Sequence, residues 1–325
     1  MVSVSCVLPV FNGANFLGEA IRSVLDQTFS DFELIVVDDG STDNSAEIAA
    51  SFQDSRITIL KRTNAGIVAA LNAGLQVARG KYIARMDADD ISVPNRFEKQ
   101  VEYLELHPAC VLVGGLAQGF DEQGKEGFTT GGRHTQTDLS CFPPKVAVSL
   151  HPLIMIRADI LRSIGGYRAH FKHAEDYDLY LRLAIYGSID NPSELMLFYR
   201  RHASAMSIQN LAEQERNAAL SEAIAIAELR HGSVLLEDVE GTARAVWPAS
   251  LFEPYVRFRI WRRNLVAGGE INWRVFLGVV LNLSPGTIFS SSYFGLRVRA
   301  CGSLIKLLVG RYKVQLQKGR GRRPS

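Results

Sequence analysis

Gly80-Lys81-Tyr82-Ile83-Ala84-Arg85-Met86-Asp87-Ala88-Asp89-Asp90 (residues 80–90) runs from a glycine through a short apolar stretch into three carboxylates. Such a stretch reads as a buried strand whose carboxyl end opens into an acidic turn. Pro94 then opens a helix. Taken alone, the Asp-x-Asp pair reads as a turn that caps the following helix. Clustered hard oxygens also suit Mg²⁺ or Mn²⁺, which takes few protein ligands and keeps room for water and phosphate. An EF-hand is excluded, because Ile91 and Ser92 stand where that loop requires a ligand and a glycine.

Upstream the same pattern repeats. Val2 to Leu8 reads as a buried strand, followed by a turn at Pro9-Val10-Phe11-Asn12-Gly13 and a helix from about Asn15 to Gln27. Phe16, Leu17, Ala20, Ile21, Val24 and Leu25 give that helix one apolar face. Glu33 to Val37 forms a second strand ending in Asp38-Asp39-Gly40-Ser41-Thr42-Asp43, with Asp43 placed to cap a helix that ends near Phe52. A third strand spans Ile57 to Leu60, and Asn64-Ala65-Gly66 opens a helix of small residues. Strands alternating with helices at this spacing predict an α/β fold with a doubly wound, mostly parallel sheet. Ligands in such sheets bind beyond the carboxyl ends of the strands, so the two acidic clusters should converge. Asp39 is suited either to accept a ring N–H of uracil or thymine or to shape the turn with Gly40.

Downstream, the spacing predicts a helix from Asn95 to Leu106 and strands at Cys110 to Leu116 and Val146 to Ile156. Gly114 to Gly132 is a glycine-rich loop or hairpin. His151-Pro152 reads as a packed or turn residue rather than a catalyst. Ile164-Gly165-Gly166-Tyr167 marks a tight turn before Glu175-Asp176-Tyr177-Asp178, which opens a helix. Acids there suit the helix dipole, and Asp178 is spaced to pair with Arg182. Asp176 can also act as a general base if it faces the cleft. Tyr199-Arg200-Arg201-His202 then gathers cations and an imidazole.

Composition narrows the classes. No GxGxxG or GxxxxGK[ST] follows the first strand, which excludes a dinucleotide fingerprint and a P-loop. The four cysteines are scattered with no CxxC pair, against a zinc site and consistent with a reducing cytosol. No basic leader or apolar run of about 20 residues marks a signal or a transmembrane helix. Net charge is +2, yet from Tyr255 onward fourteen Lys/Arg meet one acid, Glu270. That segment carries +13 and the rest −11, so two parts with different partners are implied. Trp261, Trp273, Phe276, Phe289, Tyr293 and Phe294 are interleaved with the cations, a pattern of a membrane interface rather than of a nucleic-acid-binding arm; the alternative is a helical subdomain whose arginines pair with the acidic catalytic domain.

Five stretches stand in an order that resembles the family 2 glycosyltransferases of the GT-A fold: VLPVFN (7–12), VVDDGSTD (36–43), NAGIVAALNAG (64–74) with GKYIARMDADD (80–90), GGYRAHFKHAEDYDLYLRL (165–183) and FYRRHASAMS (198–207). The resemblance implies inverting transfer of a sugar from a nucleotide-sugar, UDP- or dTDP-linked, to an acceptor hydroxyl in polysaccharide or lipid-linked glycan assembly. It implies Asp176 as catalytic base, Asp87 and Asp89 as the pair holding Mn²⁺ or Mg²⁺, and His202 as a further metal or diphosphate contact. Pro9, Asp39, Asn64, Gly66, Arg85, Asp87, Glu175 and Arg201 are the implied substrate contacts. Many members carry arginine where this chain has Leu71, so a phosphate contact falls instead to Arg62 or Arg85. The implied organisation is a catalytic domain over 1–207, with a donor half (1–116) and an acceptor half (117–207). A helical, basic region over 208–325 would hold the protein at the cytoplasmic face of a membrane. A sugar-1-phosphate nucleotidyltransferase is the rival enzyme; it needs a basic glycine-rich loop where PVFNGANF stands. A non-catalytic sugar-nucleotide binder is the rival outside enzymes, opposed by the intact Asp39, Asp89 and Asp176.

Overall fold

The alternation of apolar strands and amphipathic helices dictates a layered α/β arrangement, and a computed structural model shows how the layers are ordered. It describes residues 2–121, 126–131, 137–140, 145–201, 210–232, 236–246, 252, 253, 255, 256, 259 and 260. The chain divides into two compact units. One comprises Met1–Thr137 and Val146–Asn210, the other Asp138–Lys145 and Leu211–Ser325.

In the first unit β1 (Val4–Val10), α1 (Leu17–Leu25), β2 (Phe32–Asp38), α2 (Ser45–Ser51), β3 (Ile57–Lys61), α3 (Ile67–Val77) and β4 (Tyr82–Arg85) follow the alternation read from the sequence. Every residue of β1 and β2 is buried, as parallel strands covered on both faces require. β1 pairs in parallel with both β2 and β4, and β2 pairs in parallel with β3. Leu17, Ala20, Ile21 and Val24 form the buried stripe of α1. Gly74 lets α3 lie directly on the sheet: a Cβ there would be 2.5 Å from Val7 Cγ1.

The second half departs from the sequence reading. After β5 (Ile91–Ser92) and α4 (Arg96–Leu106), the run expected as one strand from Cys110 to Leu116 splits into β6 (Cys110–Val113) and β7 (Leu116–Asp121). The break falls at a glycine pair. A Cβ on Gly114 would be 1.9 Å from Ser149 Oγ, and one on Gly115 would be 2.4 Å from Met196 Cγ, so only glycine passes. β7 forms an antiparallel hairpin with β8 (Glu126–Gly131). The strand expected from Val146 to Ile156 is instead a 3-10 turn at His151–Leu153, then a short β9 (Met155–Arg157). Pro152 sits in the first turn of that 3-10 segment, where its missing N–H cannot serve a sheet ladder. β9 runs antiparallel between β4 and β6.

α5 (Ala158–Ser163), α6 (Glu175–Leu183), β10 (Ser188–Asp190) and β11 (Leu195–Arg201) complete this unit. The main sheet has the order β10-β6-β9-β4-β1-β2-β3, mostly parallel, and a second sheet has the order β5-β11-β7-β8.

In the other unit, α7 (Leu211–His231) buries two carboxylates, Glu215 and Glu222. Arg259 pairs with both, and Tyr255 Oη donates to Glu222 at 2.8 Å. This corrects one expectation: Arg259, counted among the cations facing a membrane, is buried here between acids. A buried charge requires such partners. The other thirteen cations of that segment, its Trp and Phe residues beyond 260, and His202 lie outside the described residues. Among the described residues no helix is long and apolar enough to cross a membrane.

Candidate active site

β4, β1 and β2 are parallel neighbours, so their carboxyl ends share one edge of the sheet. The turn after β1 bridges the loops on either side. Asn12 N–H donates to Ser41 Oγ at 3.0 Å, and Asn12 Oδ1 accepts from Thr42 N–H at 2.8 Å. On the other side a Cβ at Gly13 would stand 3.5 Å from Ala88 Cβ. The two acidic clusters therefore converge, as the topology predicted.

Behind β2 the carboxylates are engaged by protein donors. Asp39 accepts from the N–H groups of Ala65 (3.2 Å) and Gly66 (2.7 Å) and pairs with Arg62 Nε at 3.0 Å. Gly40 is needed for this contact: its φ is +79° and a Cβ would be 2.8 Å from Asn64 N. Asp38 accepts from Ser41 N–H at 2.9 Å. Asp43 accepts from Ala14 and Ser45; burial works against ionisation, but these bonds hold its carboxyl below the usual range.

Behind β4 the balance differs. Arg85 is buried and grips Asp87 with both terminal nitrogens, at 2.5 and 2.6 Å. Oxygens of Asp87, Asp89 and Asp90 lie within 4.8 Å of one another. Burial raises the proton affinity of Asp87, with Arg85 opposing and Asp89 adding to it. Burial raises that of Asp90 further, reinforced by Asp87 and Asp89. Asp90 Oδ1 accepts the Arg200 N–H at 2.9 Å, whereas its buried Oδ2 has no hydrogen-bond partner among the described residues. Arg96 braces this strand end by donating to the Arg85 carbonyl at 2.7 Å; burial pulls its own pKa down to about 10. Three hard carboxylates, crowded and with a buried oxygen unsatisfied, fit a divalent cation as the missing countercharge.

α6 brings the third group. Glu175 and Asp176 occupy its first turn, and Asp176 accepts the Tyr177 N–H at 2.7 Å. Burial, then the neighbouring Asp176, push Glu175 up to about 7, and its Oε2 has no hydrogen-bond partner among the described residues. Asn72 on α3 fixes the preceding turn through both backbone groups of Tyr167, at 2.9 and 3.0 Å. Tyr167 Oη meets His151 Nε2 at 2.9 Å. Burial, aided by the field of Arg85, keeps that imidazole neutral well below its ordinary pKa. His151 is thus the packed residue its sequence context suggested, set against the site. Arg85 also acts on Tyr167, Glu175 and the buried hydroxyl of Tyr180, so it joins the β4 loop electrostatically to α6. Asp178 pairs with Arg182 at 2.8 Å, the structural role its spacing predicted.

Comparison with known proteins gives this arrangement a family. The model of "Glycosyl transferase family 2" matches residues 5–165. The uncharacterised glycosyltransferase RT0329 of Rickettsia typhi is 30% identical over 227 residues, 67% of this chain and 70% of that protein. The chain belongs to glycosyltransferase family 2. The putative glycosyltransferase EpsE of Bacillus subtilis is 38% identical over 185 residues, 55% of this chain and 66% of EpsE. The amylovoran biosynthesis glycosyltransferase AmsE of Erwinia amylovora is 34% identical over 174 residues, 53% of this chain and 65% of AmsE. The chain thus spans just under two thirds of these two relatives. In fold it is similar to S. aureus TarS 1-349 crystallised with UDP-GlcNAc (TM-score 0.55, 16% identity, 91% of this chain and 89% of that one). It is also similar to the mannosyltransferase PcManGT from Pyrobaculum calidifontis in complex with GDP-Man and Mn²⁺ (TM-score 0.51, 15% identity, 94% and 86%).

The structure gathers Asp39, Asn64, Gly66, Arg85, Asp87, Asp89, Glu175 and Asp176 around one edge of the sheet or in its electrostatic reach. Pro9 is buried inside β1, and the exposed side chain at that strand end is Phe11, 52% accessible. Arg201 ends β11 opposite Asp121 of β7, and its guanidinium reaches β8, where a Cβ on Gly127 would lie 3.1 Å from it. Leu71 is buried in the core, and Arg62 is engaged by Asp39 and the Ala69 carbonyl. Sequence reading passed over Arg96 and Tyr180, and named Phe11 only within a turn and Arg200 only within a group of cations, giving neither a role at the site. An exposed aromatic directly after a buried strand was a readable signal for Phe11. The others act through tertiary contacts and leave no local pattern.

Proposed function

We propose that the chain transfers a sugar from a nucleotide-sugar to an acceptor hydroxyl with inversion at the anomeric carbon. Residues 1–207 act as the catalytic domain, with donor and acceptor halves meeting near residue 116. The observation that carries this reading is the crowded, incompletely satisfied Asp87-Asp89-Asp90 cluster, coupled through Arg85 to the carboxylates at the start of α6. Asp89, with Asp87 held beside it by Arg85, and His202 farther along the chain would hold Mn²⁺ or Mg²⁺. A divalent cation there supplies neutralisation of charge growing on a departing diphosphate. Exposed Phe11 offers a stacking face for a nucleobase, and Asp39 with the backbone of Asn64 to Gly66 shapes the wall beside it. Asp176 takes the acceptor proton as the hydroxyl oxygen bonds to the anomeric carbon. The carbon–diphosphate bond breaks, and its electron pair leaves on the phosphate oxygen. One base and one displacement give inversion.

A specific observation favours a second assignment of the base. Glu175 is pushed to about 7 and has a buried oxygen with no hydrogen-bond partner among the described residues, properties of a base poised near neutral pH. Nucleotide and sugar identity are tested by screening UDP-, dTDP- and GDP-sugars for hydrolysis and transfer with Mn²⁺, and with EDTA. NMR of the product reports its anomeric configuration. Retention would overturn the single-displacement mechanism.

The cation-rich segment beyond residue 260 supports a place at an anionic membrane surface, beside a lipid-linked acceptor. Flotation of the full-length protein with anionic vesicles at low salt tests this, and protein remaining in the soluble fraction would refute it.

A further inference from the structure

Arg200 sits on β11 in the second sheet, yet its contacts run to the acidic loop. Its backbone N–H donates to Asp90 Oδ1 at 2.9 Å, and its Nε donates to the Asp89 carbonyl at 2.8 Å. Its Nη2 bonds to Glu19 on α1. The guanidinium lies 4.5 Å from the Phe16 ring centroid and 4.6 Å from that of Phe120. One planar cation is therefore fixed by an aromatic ring before α1, an aromatic ring on β7, a carboxylate on α1 and the Asp89-Asp90 turn. Its side chain is 8% exposed, whereas Glu19 is 63% exposed. The carboxylate paired with the guanidinium thus comes from the solvent side rather than from the crowded cluster.

We propose that Arg200 is a positioning residue that holds the Asp89-Asp90 turn in the geometry that faces the three carboxylates toward one point. Divalent-cation affinity depends on it although it is not a ligand. The proposal rests on the metal reading above. A bond to the Asp89 carbonyl fixes the peptide between Asp89 and Asp90, and the bond to Asp90 Oδ1 fixes the side chain next to it. Together they set both carboxylates relative to Asp87, which Arg85 holds from the other side. A lysine cannot reproduce this: it lacks the planar fork that lies against aromatic rings while donating sideways. Partners of this kind behind metal-binding carboxylates commonly govern affinity as strongly as the ligands' own orientation does.

The test is a Mn²⁺ titration of full-length protein, with free Mn²⁺ read by its electron paramagnetic resonance signal. Wild type, Asp89→Ala, Arg200→Lys, Phe120→Leu and Glu19→Gln are compared, each first shown to unfold cooperatively in EDTA. Wild type should bind Mn²⁺ and Asp89→Ala should not. Arg200→Lys should weaken the Kd by about 10- to 100-fold, the usual range for such partners. Phe120→Leu, which removes one ring face, should weaken it less, and Glu19→Gln, at the exposed end, least. Raising Mn²⁺ should restore turnover in Arg200→Lys, moving the apparent Mn²⁺ requirement rather than kcat. Wild-type Kd values in both Arg200→Lys and Phe120→Leu would overturn the positioning role while leaving the metal reading intact. Wild-type protein that binds no Mn²⁺ would overturn the metal reading and this role with it.

Discussion

Two loops at the same edge of the sheet carry three aspartates each, and they differ in how far the protein completes them. After β2, Asp38 takes the Ser41 N–H, Asp39 takes Arg62 and two backbone N–H groups, and Asp43 takes Ala14 and Ser45. After β4, Arg85 answers for Asp87, while burial and mutual repulsion raise Asp87 and Asp90, and one Asp90 oxygen has no hydrogen-bond partner among the described residues. Carboxylates at strand ends are thus scaffolding when the chain supplies donors. Where the chain withholds donors, the carboxylates are left to one another, and that is the loop proposed above to take a cation.

The strongest way to break this comparison is to remove the engaged acid. Asp39→Ala leaves Arg62 and the N–H groups of Ala65 and Gly66 without their acceptor, and should cost about 3 kcal/mol of unfolding free energy. Urea denaturation should give the same loss with EDTA or with Mn²⁺. A loss that disappears in EDTA would place Asp39 in the metal site instead.

Asp176→Asn should lower kcat by about 10²-fold while leaving nucleotide-sugar affinity nearly unchanged. Steady-state kinetics and nucleotide titration separate the two quantities. Wild-type kcat in that variant would move the base to Glu175.

Glu175 sharpens the comparison through pH. Its folded pKa of about 7 lies above the ordinary 4.5, so its contribution to stability is fully present below the lower value and is lost as pH rises through the upper one. Glu175→Gln should therefore gain on wild type between pH 5 and 8, by about 2 kcal/mol at the alkaline end. Thermal unfolding in EDTA across that range checks it; a Tm difference independent of pH would contradict the shift.

The smallest effect is expected at Asp90→Asn, which removes one charge from the crowded cluster yet keeps an acceptor for the Arg200 N–H. Metal-free protein should be stabilised by about 1 kcal/mol at pH 8. Destabilisation there would mean that the cluster is not strained by its own charge.

Much of this architecture could be read in advance. The alternating runs from Val4 to Arg85 gave the parallel strands and their helices because burial on both faces demands continuous apolar residues, and acids at strand ends marked the edge that matters. The second half resisted for local reasons. An apolar run does not reveal that Gly114 and Gly115 carry the chain from one sheet to another. Nor do Met155 to Arg157 announce an antiparallel insertion, since three residues show no period. In the site, the acids were legible by type and spacing. Which of them already had donors was not, because Arg62, Ala65 and Gly66 lie 23 to 27 positions from Asp39, and Arg200 lies 110 from Asp90. Only the fold brings them together.

The role proposed for the loop after β4 is to take up a divalent cation in the service of sugar transfer. It is tested most directly by nucleoside diphosphate release from nucleotide-sugars, with wild type and Asp89→Ala assayed in Mn²⁺ and in EDTA. Turnover should require Mn²⁺ in wild type and fall by about 10³-fold in the variant, the scale of losing a principal electrostatic contact to the leaving group. Equal turnover in EDTA, or in Asp89→Ala, would contradict the account.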